Sequence, residues 1–143
     1  MNYKFRVFDK PNKEMRYSDK HDGEFYINLK GILYMYGIPK STDYYINYNV
    51  MQYIGLKDKN GKEIYTGDVL CDYRLDGTYR MYKIFKRKGG FVFNTHSDDF
   101  KKPVDKILFT EACADMQNAG FLETCEIGGN YIVNPELYTD ATV

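Results

Sequence analysis

At 143 residues the chain has the length of one domain or of two very small ones, enough to bury roughly two thirds of the surface its unfolded form exposes. A hydrophobic content of 43% and a charged content of 28% exclude a disordered or fibrous polymer. The net charge of zero offers no general argument for a nucleic-acid or membrane partner.

The first predicted element covers residues 2–8, where Tyr3, Phe5 and Val7 alternate with Lys4, Arg6 and Phe8. That period of two predicts a half-buried strand. Asp9 to Lys13 contains Pro11 and Asn12 and predicts a turn, with Met15 to Tyr17 returning antiparallel. Glu24 to Tyr36 is apolar and aromatic and is divided by Gly31, which predicts two short strands. Residues 37–43, with Gly37, Pro39 and Asp43, predict a loop and the divide between an N-terminal part and a barrel-like part. Strand composition resumes from Tyr44 to Val50.

Met51 to Leu70 is the most legible stretch. Asn60-Gly61 separates two strand-like runs and predicts a type I′ hairpin turn, which needs positive φ at both central residues. Thr66-Gly67-Asp68 predicts a second turn before the strand that starts at Val69. Asp76-Gly77 and Lys88-Gly89-Gly90 predict two further hairpins, over Val69–Leu75, Thr78–Phe85 and Phe91–Asn94. Such a meander curls into a small barrel or packs as a sandwich layer, because a lone flat sheet would leave an apolar face wet. His96 to Pro103 predicts a polar loop and Val104 to Phe109 a strand. Thr110 as N-cap, Glu111 in the first turn and Gly120 as the stop predict one short helix, with Ala112, Met116 and Ala119 as its apolar stripe. Thr124–Ile127 and Tyr131–Val133 flank Gly128-Gly129.

Fifteen Tyr and nine Phe without a single Trp lean the chain toward sheet. Tyr also serves wet subunit interfaces, having an apolar ring and a polar tip. Charge is unevenly distributed, with 17 Lys/Arg against 11 Asp/Glu in residues 1–96 and 3 against 9 in residues 97–143. That asymmetry holds two parts of one fold together or pairs neighbouring subunits head to tail, and salt weakens it. Cys71, Cys113 and Cys125 show no CxxC spacing, and no signal-peptide pattern or bilayer-length apolar run is present. Free thiols in the cytoplasm are the expectation.

Three segments carry a likeness. They are Lys4-Phe5-Arg6-Val7-Phe8-Asp9-Lys10, the run from Tyr53 to Val69 (YIGLKDKNGKEIYTGDV), and Cys125-Glu126-Ile127-Gly128-Gly129-Asn130-Tyr131 with Asn134-Pro135-Glu136-Leu137 after it. In this order they resemble the YopX family of bacteriophage and prophage proteins. The family pattern has Ala and Trp where this chain has Val7 and Phe8, and a bulky aliphatic residue at Gly128. Residues 15–50 and 74–124 carry no such likeness. The resemblance implies a small, β-rich phage protein with a barrel-like C-terminal part. It implies no established activity and no site residues.

The sequence shows little that resembles catalytic chemistry. His21 and His96 lie in polar, turn-rich surroundings without a Gly-x-Ser-x-Gly nucleophile. His96, Asp98 and Asp99 have no second ligand cluster to complete a zinc site. Asp22, Asp58, Asp68, Asp72 and Asp76 fall mostly at turns, where their side chains mimic backbone bonds. Gly89-Gly90 is the nearest approach to a phosphate loop, but it sits between strands. The remaining candidate is a basic arm, Arg80, Lys83, Lys86, Arg87 and Lys88, interleaved with Tyr79, Tyr82 and Phe85. Charge for a phosphate backbone and rings for bases suit single-stranded nucleic acid. Alternation splits the arm, with Arg80, Lys86 and Lys88 on one face and Lys83 and Arg87 on the other. An edge strand carrying Lys against edge-to-edge pairing has the same composition, as does an arm docking on the acidic C-terminal third.

The expectation is therefore a mainly β protein with one short helix. A small antiparallel meander closes into an SH3-like or related small barrel over residues 41–143, and residues 1–40 form a β-rich N-terminal extension, or the two run together as one continuous domain. Asn60, Gly61, Gly67, Asp68, Asp76 and Gly77 are its structural turns. The expected function is non-enzymatic, without metal or cofactor: a self-associating module that binds a host or phage protein in the cytoplasm of the bacterial host, with no membrane partner. A single-stranded nucleic-acid-binding role through residues 79–88 is the alternative.

Overall fold

In the computed structural model the described residues are 4–19, 25–28, 33–35, 38–39, 48–87, 90–95, 107–109, 113–115 and 123–140. The chain forms two compact units, Met1–Tyr53 and Ile54–Val143. Their division falls inside a strand, while the loop signal at residues 37–43 lies within the span of the first unit.

The first unit opens with β1 (Phe5–Asp9) and β2 (Glu14–Tyr17), an antiparallel hairpin in which Val7 lies opposite Arg16. Asp9 sets its turn. One carboxylate oxygen accepts the Asn12 N–H at 3.3 Å and the other accepts the Asn12 amide at 2.9 Å, while Lys13 adopts φ 52. The strand β6 (Tyr48–Lys57) pairs the other side of β1, with Val7 opposite Val50. The alternation in β1 predicts one wet face, but Arg6, Val7, Phe8 and Asp9 are all buried. On one face Val7 and Leu33 form a small core with Phe5, Tyr48 and Val50. On the other, Arg6 Nε donates to Met51 Sδ at 3.3 Å. A guanidinium can thus occupy a covered position that hydrophobic period alone assigns to solvent. The apolar run 24–36 does give two strands, β3 (Phe25–Ile27) and β4 (Leu33–Met35). Within the expected loop, β5 (Ile38–Pro39) adds two residues of pairing, Ile38 with Met35 and Pro39 with Tyr34. β5 lies at an edge of the β3-β4-β5 sheet, where the missing N–H of proline is tolerated.

The second unit contains the far end of β6, then β7 (Glu63–Tyr65), β8 (Asp68–Tyr73), β9 (Tyr79–Arg87), β10 (Gly90–Thr95), β11 (Ile107–Phe109), β12 (Cys113–Asp115), β13 (Cys125–Asn130), the 3-10 turn η1 (Pro135–Leu137) and β14 (Tyr138–Asp140). β8, β9 and β10 form the expected meander, extended to the order β12-β10-β9-β8-β13 and curved as a half-barrel. β11 pairs β14 in parallel, Leu108 opposite Thr139.

Both faces of this sheet are covered. Leu70, Tyr82, Ile84 and Cys125 pack with Ile64 of β7, bordered by Ile54, Leu56, Phe91 and Ile127. Each fully buried Ile or Leu contributes about 1.5–3 kcal/mol. On the opposite face Val69, Cys71 and Met81 pack against Tyr79, Tyr131 and Tyr138. The register explains this division. Cys71 faces Met81 across one pair, Leu70 faces Tyr82 in the next, and successive pairs point to opposite sides.

Two expectations are corrected, and one stretch that the sequence left open is assigned. The short helix from Thr110 is replaced at its centre by strand β12, whose Cys113, Ala114 and Asp115 pair with Asn94, Phe93 and Val92. Cys and Asp are weak helix formers, and pairing with β10 satisfies their backbone instead; the expected ends Thr110 and Gly120 lie outside the described residues. The only described helical residues are the three of η1. Gly128-Gly129, which the sequence left without an assigned element, lies inside β13, which runs through it with a register shift between Ile127 and Gly129. The reason is space. A Cβ at Gly128 would overlap Cys71 Sγ, and one at Gly129 would overlap the Tyr138 hydroxyl. Finally, the Asn60-Gly61 turn is not type I′, since Gly61 has φ 81 while Asn60 is not at positive φ. Gly61 N–H donates to Asp58 O at 3.0 Å and Asp58 N–H to Lys62 O at 2.8 Å, the pattern of a type I turn followed by a left-handed glycine bulge. The Asp76-Gly77 turn repeats it. Gly77 N–H donates to Arg74 O, Arg74 N–H donates to Thr78 O, and Gly77 lies at φ 85.

Candidate functional site

Strand β9 carries the basic and aromatic residues singled out above, and it lies between β8 and β10. The edge-strand explanation of its lysines is therefore removed. The residues separate by environment. Arg80 lies opposite Asp72 and is hydrogen-bonded to Tyr82, whose hydroxyl burial pushes up against the opposing pull of that guanidinium. Tyr82 is only 7% exposed and belongs to the core. Lys83 places its Nζ 4.5 Å from the centre of the Tyr131 ring, a cation–π contact. Tyr79 packs beside Cys71 and meets the Tyr73 ring at 5.6 Å and 44°. Lys86 is exposed and lies opposite Phe91. Of Arg87 only the backbone is described, and Lys88, Gly89, His21, His96, Asp22, Asp98 and Asp99 lie outside the described residues.

The carboxylates at turns are occupied by the backbone. Asp58 Oδ1 accepts the N–H groups of Asn60 and Lys62, each at 2.9 Å, and Oδ2 accepts that of Ile127 at 3.0 Å. Burial acts to raise its pKa, but the three donors and nearby Lys62 hold the carboxyl below its ordinary value. Asp68 accepts Tyr65 N–H at 2.9 Å and the Asn130 amide at 3.2 Å. Asp76 accepts both Thr78 N–H and Thr78 Oγ1–H. Tyr131 then locks the turn after Gly67, donating its N–H to Gly67 O and its hydroxyl to Ile84 O at 2.8 Å. Among the described residues no group of three His, Cys, Asp or Glu side chains could hold a metal.

Sequence reading missed the end of the β8–β9 hairpin. Leu75 is fully exposed there, and Tyr73 beside it is 53% exposed. The signal was present in Arg74-Leu75-Asp76-Gly77, an apolar residue inside a turn that polar residues normally fill. A second exposed leucine, Leu137 at 41%, follows Glu136 on η1.

The sequence model of the YopX protein family matches residues 4–138, nearly the whole chain. This chain belongs to the YopX family. The match spans both compact units, so the β1–β6 part and the half-barrel both belong to the YopX pattern. Among solved structures, the crystal structure of protein EF1440 from Enterococcus faecalis is similar to this YopX chain with a TM-score of 0.56 and 25% sequence identity, over 96% of this chain and 98% of that one. No curated protein sequence matches it. Among the described residues no helix is long and apolar enough to cross a membrane.

Proposed function

We propose that this YopX chain is a non-enzymatic phage or prophage accessory protein that self-associates and binds proteins in the cytoplasm of the bacterial host. The observation that carries this reading is the β8–β9 apex. A fully exposed leucine flanked by a half-exposed tyrosine is held in a turn fixed by four hydrogen bonds, two across the backbone and two to Asp76. An anchor held in place before binding loses little entropy on docking. The carboxylates of Asp9, Asp58, Asp68 and Asp76, bound to backbone donors, support the non-enzymatic part. In the same spirit we read the half-barrel as SH3-like, with residues 1–40 as an extension to a domain of residues 41–143. Sedimentation velocity at 50 mM and 500 mM salt tests the reading. Association is expected, weaker at the higher salt, and a single monomer at both would overturn it.

The exposed Lys86, next to Arg87 and Lys88 in the chain, favours a second reading, single-stranded nucleic-acid binding. Replacing Lys86, Arg87 and Lys88 by Ala should then weaken oligonucleotide binding at 50 mM salt and reduce the salt slope by up to about 2. Absence of binding by the unmodified protein at low salt would remove this reading.

A further inference from the structure

Asn60 is the one asparagine of the sequence that a glycine follows, and both residues of the pair are exposed, so water reaches them. Asparagine is a thermolabile residue. Before a glycine it is most so, because no Cβ shields the backbone nitrogen that attacks its side chain. In the folded chain three bonds hold the pair. Gly61 N–H donates to Asp58 O at 3.0 Å, Asn60 N–H donates to Asp58 Oδ1 at 2.9 Å, and the Asn60 amide nitrogen donates to Glu126 Oε2 at 3.2 Å. The attacking nitrogen must give up the proton that it donates to Asp58, and the leaving nitrogen is the one tied to Glu126. The reaction therefore breaks two of the three bonds that define this turn.

We propose that Asn60 is a site of spontaneous covalent modification, held unreactive by the closed turn and converted whenever the turn opens. The Gly61 nitrogen bonds to Asn60 Cγ, the bond from Cγ to Nδ2 breaks, and ammonia leaves carrying the proton lost by Gly61. Water then opens the resulting cyclic imide at either carbonyl, giving aspartate or isoaspartate. No oxidant or reductant takes part, and water is the only co-reactant. The products no longer fit the turn. A carboxylate at position 60 cannot donate to Glu126 and stands beside a like charge. Isoaspartate also adds a methylene to the backbone between Asp58 and Lys62. The Asp58 carboxylate, which accepts the Asn60 and Lys62 N–H groups from one side and the Ile127 N–H from the other, then loses the turn that positions it. Conversion is irreversible, so each modified molecule records an opening of the tie between the β6–β7 turn and β13.

The test is peptide mapping by mass spectrometry on the full chain incubated at pH 8, folded in buffer and unfolded in urea. Conversion of Asn60 should be at least about tenfold faster in urea than in buffer, while the asparagines that no glycine follows change little in either. Gly61→Ala should slow the reaction in urea, where the fold plays no part. Asp58→Ala and Glu126→Ala, each shown by circular dichroism to remain folded, should speed it several-fold in buffer; Glu126→Ala leaves the backbone bonds of the turn in place and serves if Asp58→Ala does not fold. The isoaspartate form, separated and returned to buffer, should exchange its Lys62 and Ile127 amide hydrogens faster than the unmodified chain. Equal rates in buffer and urea, or no conversion in urea, would overturn the proposal. So would folded variants that convert no faster than the unmodified chain, or an isoaspartate form in which Lys62 and Ile127 stay as protected as before.

Discussion

Asp58 uses both carboxylate oxygens on backbone donors from two places, its own turn and Ile127 of β13. A strand edge left bare is a site for unwanted pairing, and here the turn covers it, since Lys59 N–H also donates to Cys125 O. Replacing Asp58 by Ala strands these donors, and unfolding in urea should show a loss of about 3 kcal/mol. The pH dependence follows from the lowered pKa. The folded value lies below the unfolded one, so the stabilisation is complete above about pH 4 and disappears as pH falls through the folded value. The gap between the unmodified protein and Asp58→Asn should therefore be constant from pH 7 to pH 5 and narrow below pH 4. A gap that stays constant to pH 2 would show that the charge of Asp58 does not matter. Gly128 offers a second test at this scale. Gly128→Ala places a methyl on Cys71 Sγ and should lose about 1–3 kcal/mol. Cys71→Ala removes the obstructing sulfur, so the double variant should lose less than the sum of the single ones.

The hairpins were legible because their turns are local. Asn60-Gly61 and Asp76-Gly77 declare themselves within four residues, and the meander β8-β9-β10 follows from them. The turn type was not legible, because a left-handed glycine ends both type I′ turns and bulged type I turns. Substitution separates the two at this scale. Gly61→Ala should lose about 1 kcal/mol or more, since alanine is strained at φ 81. Asn60→Ala should lose less than that, because Asn60 is not at positive φ and gives up only its side-chain contact with Glu126 at 3.2 Å. Equal losses at a thermal or urea midpoint would restore the type I′ geometry. β12 was misread, and the course of β13 through Gly128-Gly129 left unread, for the opposite reason. Their state is decided by partners far along the chain, Ala114 by Phe93 and Cys125 by Asp72, and no window around Thr110 or Gly128 contains those partners. The arm 79–88 was visible as a composition, whereas its environment was not, so Tyr82 reads like a stacking ring until Ile64, Leu70 and Ile84 pack with it in the core.

At the scale of the whole molecule, the second unit has two small cores, on opposite faces of a single sheet, and each contains a buried thiol. Cys71 lies with Val69 and Met81, and Cys125 with Ile64, Leu70 and Ile84. Burial raises the Cys71 thiol, and Glu126 adds to that against a hydrogen bond with Tyr73. Burial, followed by the charge of Asp72, pushes Cys125 up to about 12. Neither presents a thiolate to reagent at pH 8 in the folded state. A Cys113→Ala variant leaves these two as the only thiols. β8 and β13 are paired, with Glu126 opposite Cys71, so exposing one thiol means parting the strand that carries the other. Both should therefore stay unreactive toward a disulfide reagent at pH 8 and become labelled over the same range of denaturant, at the midpoint seen by circular dichroism. Labelling of Cys125 well before Cys71 would mean that β13 peels from the half-barrel by itself. That would identify the Asp58 tie as the weak closure of the sheet rather than its lock.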